Sequence, residues 1–237
     1  MVAPVARTVA AALTAATLVF GLATSTASAR WWGSTLKGSA NANYGCESAL
    51  VNGVFGVQLA PTNQRSCTYR HGGYLYSNRF TFLTPRTGRV NRIRVKSGPN
   101  PAKLRLTVLT GSSRVDPFTG RDQPGTYTCC TARYVGKAFR PKANRITTKK
   151  VKVKVYSVRN KQLQYRIHST DGLALTASGP GTLPLHIRSD LGGFTPGVPT
   201  AVGFWPATRK GDPRVDGYAL TGLDLLFQWN FIPAKRR

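Results

Sequence analysis

The 237-residue chain carries 34 Lys and Arg against 8 Asp and Glu, a formal charge of +26 at pH 7. So few carboxylates exclude a dense acidic cluster, and the three His (His71, His168, His186) come without H-E-x-x-H, G-x-S-x-G or a phosphate-binding Gly-Lys loop. Spread evenly over a surface of about 9,600 Å², the excess cations would lie roughly 20 Å apart, beyond a Debye length of about 8 Å. Only clustering creates a strong local field.

In chain order, Arg7 ends a short positive region, Thr8 to Thr24 is apolar and helix-prone, and Ala27-Ser28-Ala29 is an A-x-A cleavage signal. This predicts a signal helix over 1–29, export, and a mature chain from Arg30 that is extracellular or held at the cell envelope. The apolar core falls short of the roughly 20 residues that span a bilayer, and no later run replaces it, so no transmembrane segment is expected in the mature chain. Residues 30–72, with Cys46 and Cys67, are expected to pack on a main domain over 73–233, followed by a basic tail at 234–237.

The remainder predicts short strands at Phe55–Leu59, Tyr74–Leu83, Arg89–Lys96, Lys103–Leu109, Ala132–Phe139, Thr148–Tyr156, Gln162–His168, Leu173–Ala177, Ala201–Trp205 and Tyr218–Trp229. Gly98-Pro99-Asn100-Pro101, Pro124-Gly125, Asp171-Gly172, Gly179-Pro180-Gly181 and Gly211-Asp212-Pro213 are the turn signals between them. No segment after the leader has a sustained 3.6-residue apolar stripe. The expected fold is all-β, an antiparallel β-sandwich of jelly-roll-like form.

Charge is concentrated in two stretches. Ser48 to Val115 holds 11 cations and Gln123 to Thr170 holds 12, and neither contains an acid. Inside them, Lys149-Lys150-Val151-Lys152-Val153-Lys154-Val155 alternates strictly, which puts valines on one strand face and lysines on the other. Arg92-Ile93-Arg94-Val95-Lys96 and Lys103-Leu104-Arg105-Leu106 repeat the pattern. Arg92, Arg94, Lys96, Lys103, Arg105, Lys150, Lys152 and Lys154 are therefore the candidate polyanion-binding residues. The competing explanation is that outward lysines keep sheet edges apart and the protein dissolved, a task usually done with both signs of charge.

Four cysteines in an exported chain point to disulfides. Cys46 with Cys67 would close a loop of about 20 residues, worth roughly 3 kcal/mol. Cys129 and Cys130 pair with each other, or both cross-link to the first two. Their spacing lacks C-x-x-C pairs, and no metal site or cofactor is expected. The acid pairs Asp116/Asp122 and Asp212/Asp216 sit in Pro/Gly turns, where Asp bonds the backbone; a calcium site or a carboxylate pair is the alternative use.

Aromatic residues supply a second binding chemistry. Exposed Tyr74, Tyr76 and Trp205 would stack on sugar rings, while Phe80, Phe82, Phe227 and Trp229 fit a core. The run Gly88 to Lys96, then Leu104 to Leu109, and a closing Tyr218 to Leu226 resembles uncharacterised secreted proteins of actinobacteria. That resemblance implies an extracellular jelly-roll-like sandwich and carries no activity or site residues. The expectation is a non-enzymatic, cationic, secreted domain that binds acidic polysaccharide, teichoic acid or extracellular nucleic acid. The alternatives are a carbohydrate-binding module and, last, a hydrolase.

Overall fold

The computed structural model describes residues 29–53, 56–74, 87–115, 128–160, 166–187, 199–204, 206–211 and 218–235. The expected signal helix, the tail residues 236–237, Tyr76, Trp205 and both turn-borne acid pairs lie outside them. Within them the chain forms strands and no helix: β1 (Arg30–Gly33), β2 (Ser48–Gly53), β3 (Gly56–Pro61), β4 (Ser66–Tyr74), β5 (Gly88–Lys96), β6 (Lys103–Val115), β7 (Thr128–Val135), β8 (Ile146–Val155), β9 (Ser157–Asn160), β10 (Arg166–Ser178), β11 (Leu185–Ile187), β12 (Pro199–Phe204), β13 (Tyr218–Thr221), β14 (Leu223–Leu225) and β15 (Phe227–Pro233). No helix among the described residues is long and apolar enough to cross a membrane.

Two antiparallel sheets dominate. One has the order β1-β15-β5-β8, and the other β13-β12-β4-β10-β6-β7 with β9 also paired to β10. The chain crosses between them from β5 to β6 and from β7 to β8, while β6 and β7 stay together in the larger sheet. Side-chain alternation then decides the core. Val90, Ile93 and Val95 of β5, Val153 and Val155 of β8, and Phe227, Trp229 and Phe231 of β15 form one buried cluster with Leu104, Leu106 and Val108 of β6 and Leu173 and Leu175 of β10. Fully burying each such aliphatic or aromatic side chain contributes about 1.5–3 kcal/mol, and the shared cluster is what holds the two sheets face to face as a sandwich.

Three polar devices pin this frame. The Cys46–Cys67 disulfide, with Cα atoms 5.3 Å apart, ties the segment before β2 to β4. His71 on β4 is buried, and its Nε2 lies 3.0 Å from the carbonyl oxygen of Phe227 on β15. A carbonyl can only accept, so Nε2 carries the proton in this contact. The third is Asp171 on β10, only 1% exposed. Its carboxylate accepts from Thr110 Oγ1 at 2.5 Å, from Arg133 Nη2 at 2.5 Å and from the Tyr156 amide at 2.7 Å, which joins β6, β7 and the β8–β9 junction.

Asp171-Gly172 is therefore not the turn expected from its composition. It lies inside β10, where Asp171 and Gly172 pair with Thr110 and Leu109; the carboxylate bonds neighbouring strands instead of its own backbone. The single strand expected over Tyr218–Trp229 is likewise three, β13, β14 and the start of β15. Gly222, at φ +77°, sits between the first two of these in a left-handed conformation that L-residues with a side chain rarely adopt.

Candidate functional site

The outward face of the four-stranded sheet is built by parity. Because Val153 and Val155 turn into the core, Lys150, Lys152 and Lys154 turn out and are exposed. On β5, Ile93 and Val95 face inward, which sends Arg92 and Arg94 outward. Antiparallel pairing sets Arg92 opposite Lys150 and Arg89 opposite Lys154. Directly opposed residues have Cα atoms about 4.5–5.5 Å apart. None of these six cations has a carboxylate partner among the described residues.

The pairing is irregular at one point. Between Val90 and Arg92, β5 has one residue, Asn91, where β8 has two (Val151 and Lys152). Against β15 the same residue is an extra one, because Phe231 and Asn230 pair with Val90 and Arg92. Two residues instead of one therefore separate the inward Val90 and Ile93. At this bulge the surface opens into a depression of about 720 Å³. Arg89, Asn91, Arg92, Lys150, Lys152 and Lys154 are among the residues that line it.

Trp31 of β1 extends the face at the other end of the sheet. It pairs with Asn230 of β15, and the Arg94 guanidinium carbon lies 4.0 Å from the centroid of its ring. This places the guanidinium over the indole face, a cation–π contact worth about 0.5–1 kcal/mol at an exposed site. Lys96 is drawn away from the group, with its Nζ 3.2 Å from the Leu36 carbonyl oxygen and 3.5 Å from that of Lys37.

The eight cations singled out from sequence thus divide. Arg92, Arg94, Lys150, Lys152 and Lys154 share one outward face, and Lys96 lies at its margin bound to backbone carbonyls. Lys103 and Arg105 are exposed on β6, whose Leu104 and Leu106 point into the shared core, so they face away from the opposite layer of the sandwich. Alternation gives each strand its own outer side but not the sheet to which the strand belongs. Of the sugar-stacking candidates, Tyr74 ends β4 at the register of Pro199, with its side chain outside the described residues along with Tyr76 and Trp205. Cys130 is disulfide-bonded as well.

Sequence reasoning missed Arg89, Asn91 and Trp31. Val90-Asn91-Arg92 breaks the alternation that runs on from Arg92, and that break is itself the signal of a bulge. Trp31 stands in a Trp31-Trp32 doublet, whose alternation sends one ring to each face; Trp32 packs against the core.

The inner side of the sandwich has its own polar site. His71 stacks on Phe227 with ring centroids 6.3 Å apart, and burial holds its imidazole below the ordinary value. Nearby Asp224 and the Phe227 carbonyl oppose that shift, while Arg70 adds to it. Asp224 accepts from Ser34 Oγ at 2.7 Å. Serine bonds the carboxylate and histidine bonds a carbonyl, so the three do not form the serine–histidine contact that a nucleophilic relay requires. Comparison of the chain with known protein families, characterised proteins and solved structures finds no match, and the actinobacterial resemblance receives no support from it.

Proposed function

We propose that this protein is a secreted, non-enzymatic binding domain that holds acidic polymers or the cell envelope on the outward face of the β1-β15-β5-β8 sheet. The observation that carries this reading is the register of β5 and β8, which opposes Arg89 to Lys154 and Arg92 to Lys150. Two unpaired cations of like sign directly opposite each other destabilise a sheet, and a polyanion removes that cost. Acidic polysaccharide, teichoic acid and nucleic acid all present the charge density required, and attraction of this kind is independent of polymer sequence.

The test compares two neutralised proteins. Replacing Lys150, Lys152 and Lys154 with Gln should weaken binding to a polyanion and flatten its salt dependence. Replacing Lys103 and Arg105 with Gln, on the other outer face, should do much less. Equal losses in the two proteins would mean that net charge alone drives binding, and the face would lose its assignment.

A further inference from the structure

The bulge depression differs in kind from the rest of the basic face. Two arginines, Arg89 and Arg92, and three lysines, Lys150, Lys152 and Lys154, are among the residues that line it, and no Asp or Glu is. At the same place Asn91 Oδ1 is buried and has no hydrogen-bond partner among the described residues. A buried amide oxygen left in this way loses about 1–3 kcal/mol of hydration, so the fold keeps this residue at a cost where a regular strand would have none. With Oδ1 shielded, the other end of the amide, an NH₂ with two N–H donors, is the one left to meet a ligand.

The geometry points to a binding site for linked phosphoryl groups in this depression, an inference that rests on the reading of the face as anion-binding. One carboxylate has a single charge and two coplanar oxygens, which one arginine fork satisfies. Here the residues that line one space carry two guanidinium forks, three ammonium groups and an amide, more donors than a carboxylate can engage. Phosphoryl groups in a chain carry several charges with tetrahedral oxygens that reach donors on every side, and both Arg and Lys bind them well. The volume of about 720 Å³ falls within the roughly 300–1,000 Å³ common for small-molecule sites and exceeds what one isolated anion fills. The bulge supplies the shape, since an extra residue bends the strand and re-aims its side chains.

Inorganic tripolyphosphate is the probe, titrated into the full chain by calorimetry at physiological salt beside citrate, a tricarboxylate. Tripolyphosphate should bind at least about tenfold more tightly, and Asn91→Leu, which leaves the charge unchanged, should lose about tenfold, the scale of one hydrogen bond to a charged group. As a check that needs no variant, the Asn91 side-chain NH₂ resonance of the wild-type protein should shift on titration with tripolyphosphate and stay in place with citrate. Equal binding of the two anions, or an Asn91 resonance unmoved by tripolyphosphate, overturns the site. If a polyanion is still bound in that case, only this site fails; if the polyanion is not bound either, the reading of the whole face fails with it. Displacement of tripolyphosphate by an oligonucleotide without terminal phosphates assigns the site to a polymer backbone. Binding without displacement assigns it to free oligophosphates, and either result supports the phosphate chemistry.

Discussion

Replacing Lys150, Lys152 and Lys154 together with Gln removes three of the six outward cations that β5 and β8 bring together, and the size of the effect can be worked out. Oligothymidylate is a convenient polyanion because the affinity of single strands falls with a slope of about −0.7 for each phosphate neutralised. With Arg89, Arg92, Arg94 and the three lysines engaged, the wild-type slope of log affinity against log salt should be about −4, and that of the triple variant about −2. Between about 50 mM and about 200 mM salt the wild type should lose about 300-fold in affinity and the variant about 20-fold. Fluorescence anisotropy over a salt series reads both slopes. The same substitutions should stabilise the fold, because Arg89/Lys154 and Arg92/Lys150 repulsion costs about 0.6–0.8 kcal/mol per pair in water at low salt. A thermal midpoint raised by about 2–5 °C, with the gain fading as the Debye length shrinks to about 3 Å in 1 M salt, is expected. An unchanged slope, or a slope reduced as much by Lys103→Gln with Arg105→Gln, would refute the argument.

Asp171→Ala should destabilise the protein by about 3 kcal/mol in urea denaturation, since the Tyr156 amide, Thr110 and Arg133 lose their acceptor together. Asp171→Asn keeps an acceptor and should cost less, and a loss under about 1 kcal/mol for Ala would show that the three contacts are replaceable. His71 is held neutral by burial, so its native pKa lies below the unfolded value of about 6.5. Its contribution is complete above that pH and is lost as pH falls below it, by at most about 1.4 kcal/mol per unit. Unfolding free energies measured downward from pH 6.5 should therefore decline less steeply in His71→Gln, and parallel curves would reject this account. Cys46→Ser with Cys67→Ser should lower stability by about 3 kcal/mol on the chain-entropy model, which differential scanning calorimetry would detect.

What could be seen in the letters was the strand and its two faces. The Lys/Val run over Thr148–Tyr156 became β8, Ile146–Val155, with its valines inward, and Arg89–Lys96 became β5 nearly residue for residue. In these strands one face is buried, and a slip of a single residue would turn every valine out to water. The partnership of strands was not visible, because it is decided by contacts far apart in sequence. β6 carries the same Lys/Leu/Arg/Leu signature as β5, yet it lies in the other sheet. Asp171 was hidden for a related reason: Asp-Gly marks a turn when its carboxylate has only local partners, and here Thr110, Arg133 and Tyr156 come from elsewhere. Arg92, Arg94 and the three lysines of the basic face were legible from alternation, and the depression only as a defect in it, at Asn91.

That defect has a consequence for how the surface could arise. Without Asn91, the order Val90, Arg92, Ile93, Arg94, Val95 alternates without interruption and follows Phe231 and Asn230 of β15 one for one. β8 could then slide by two residues, a shift that leaves every lysine outward and every valine inward. A single codon gained or lost would thus make or erase the depression while the hydrophobic side of the sheet kept its identity. The outward surface and the core can diverge independently in descent, and length variation at this one position would be the trace of it.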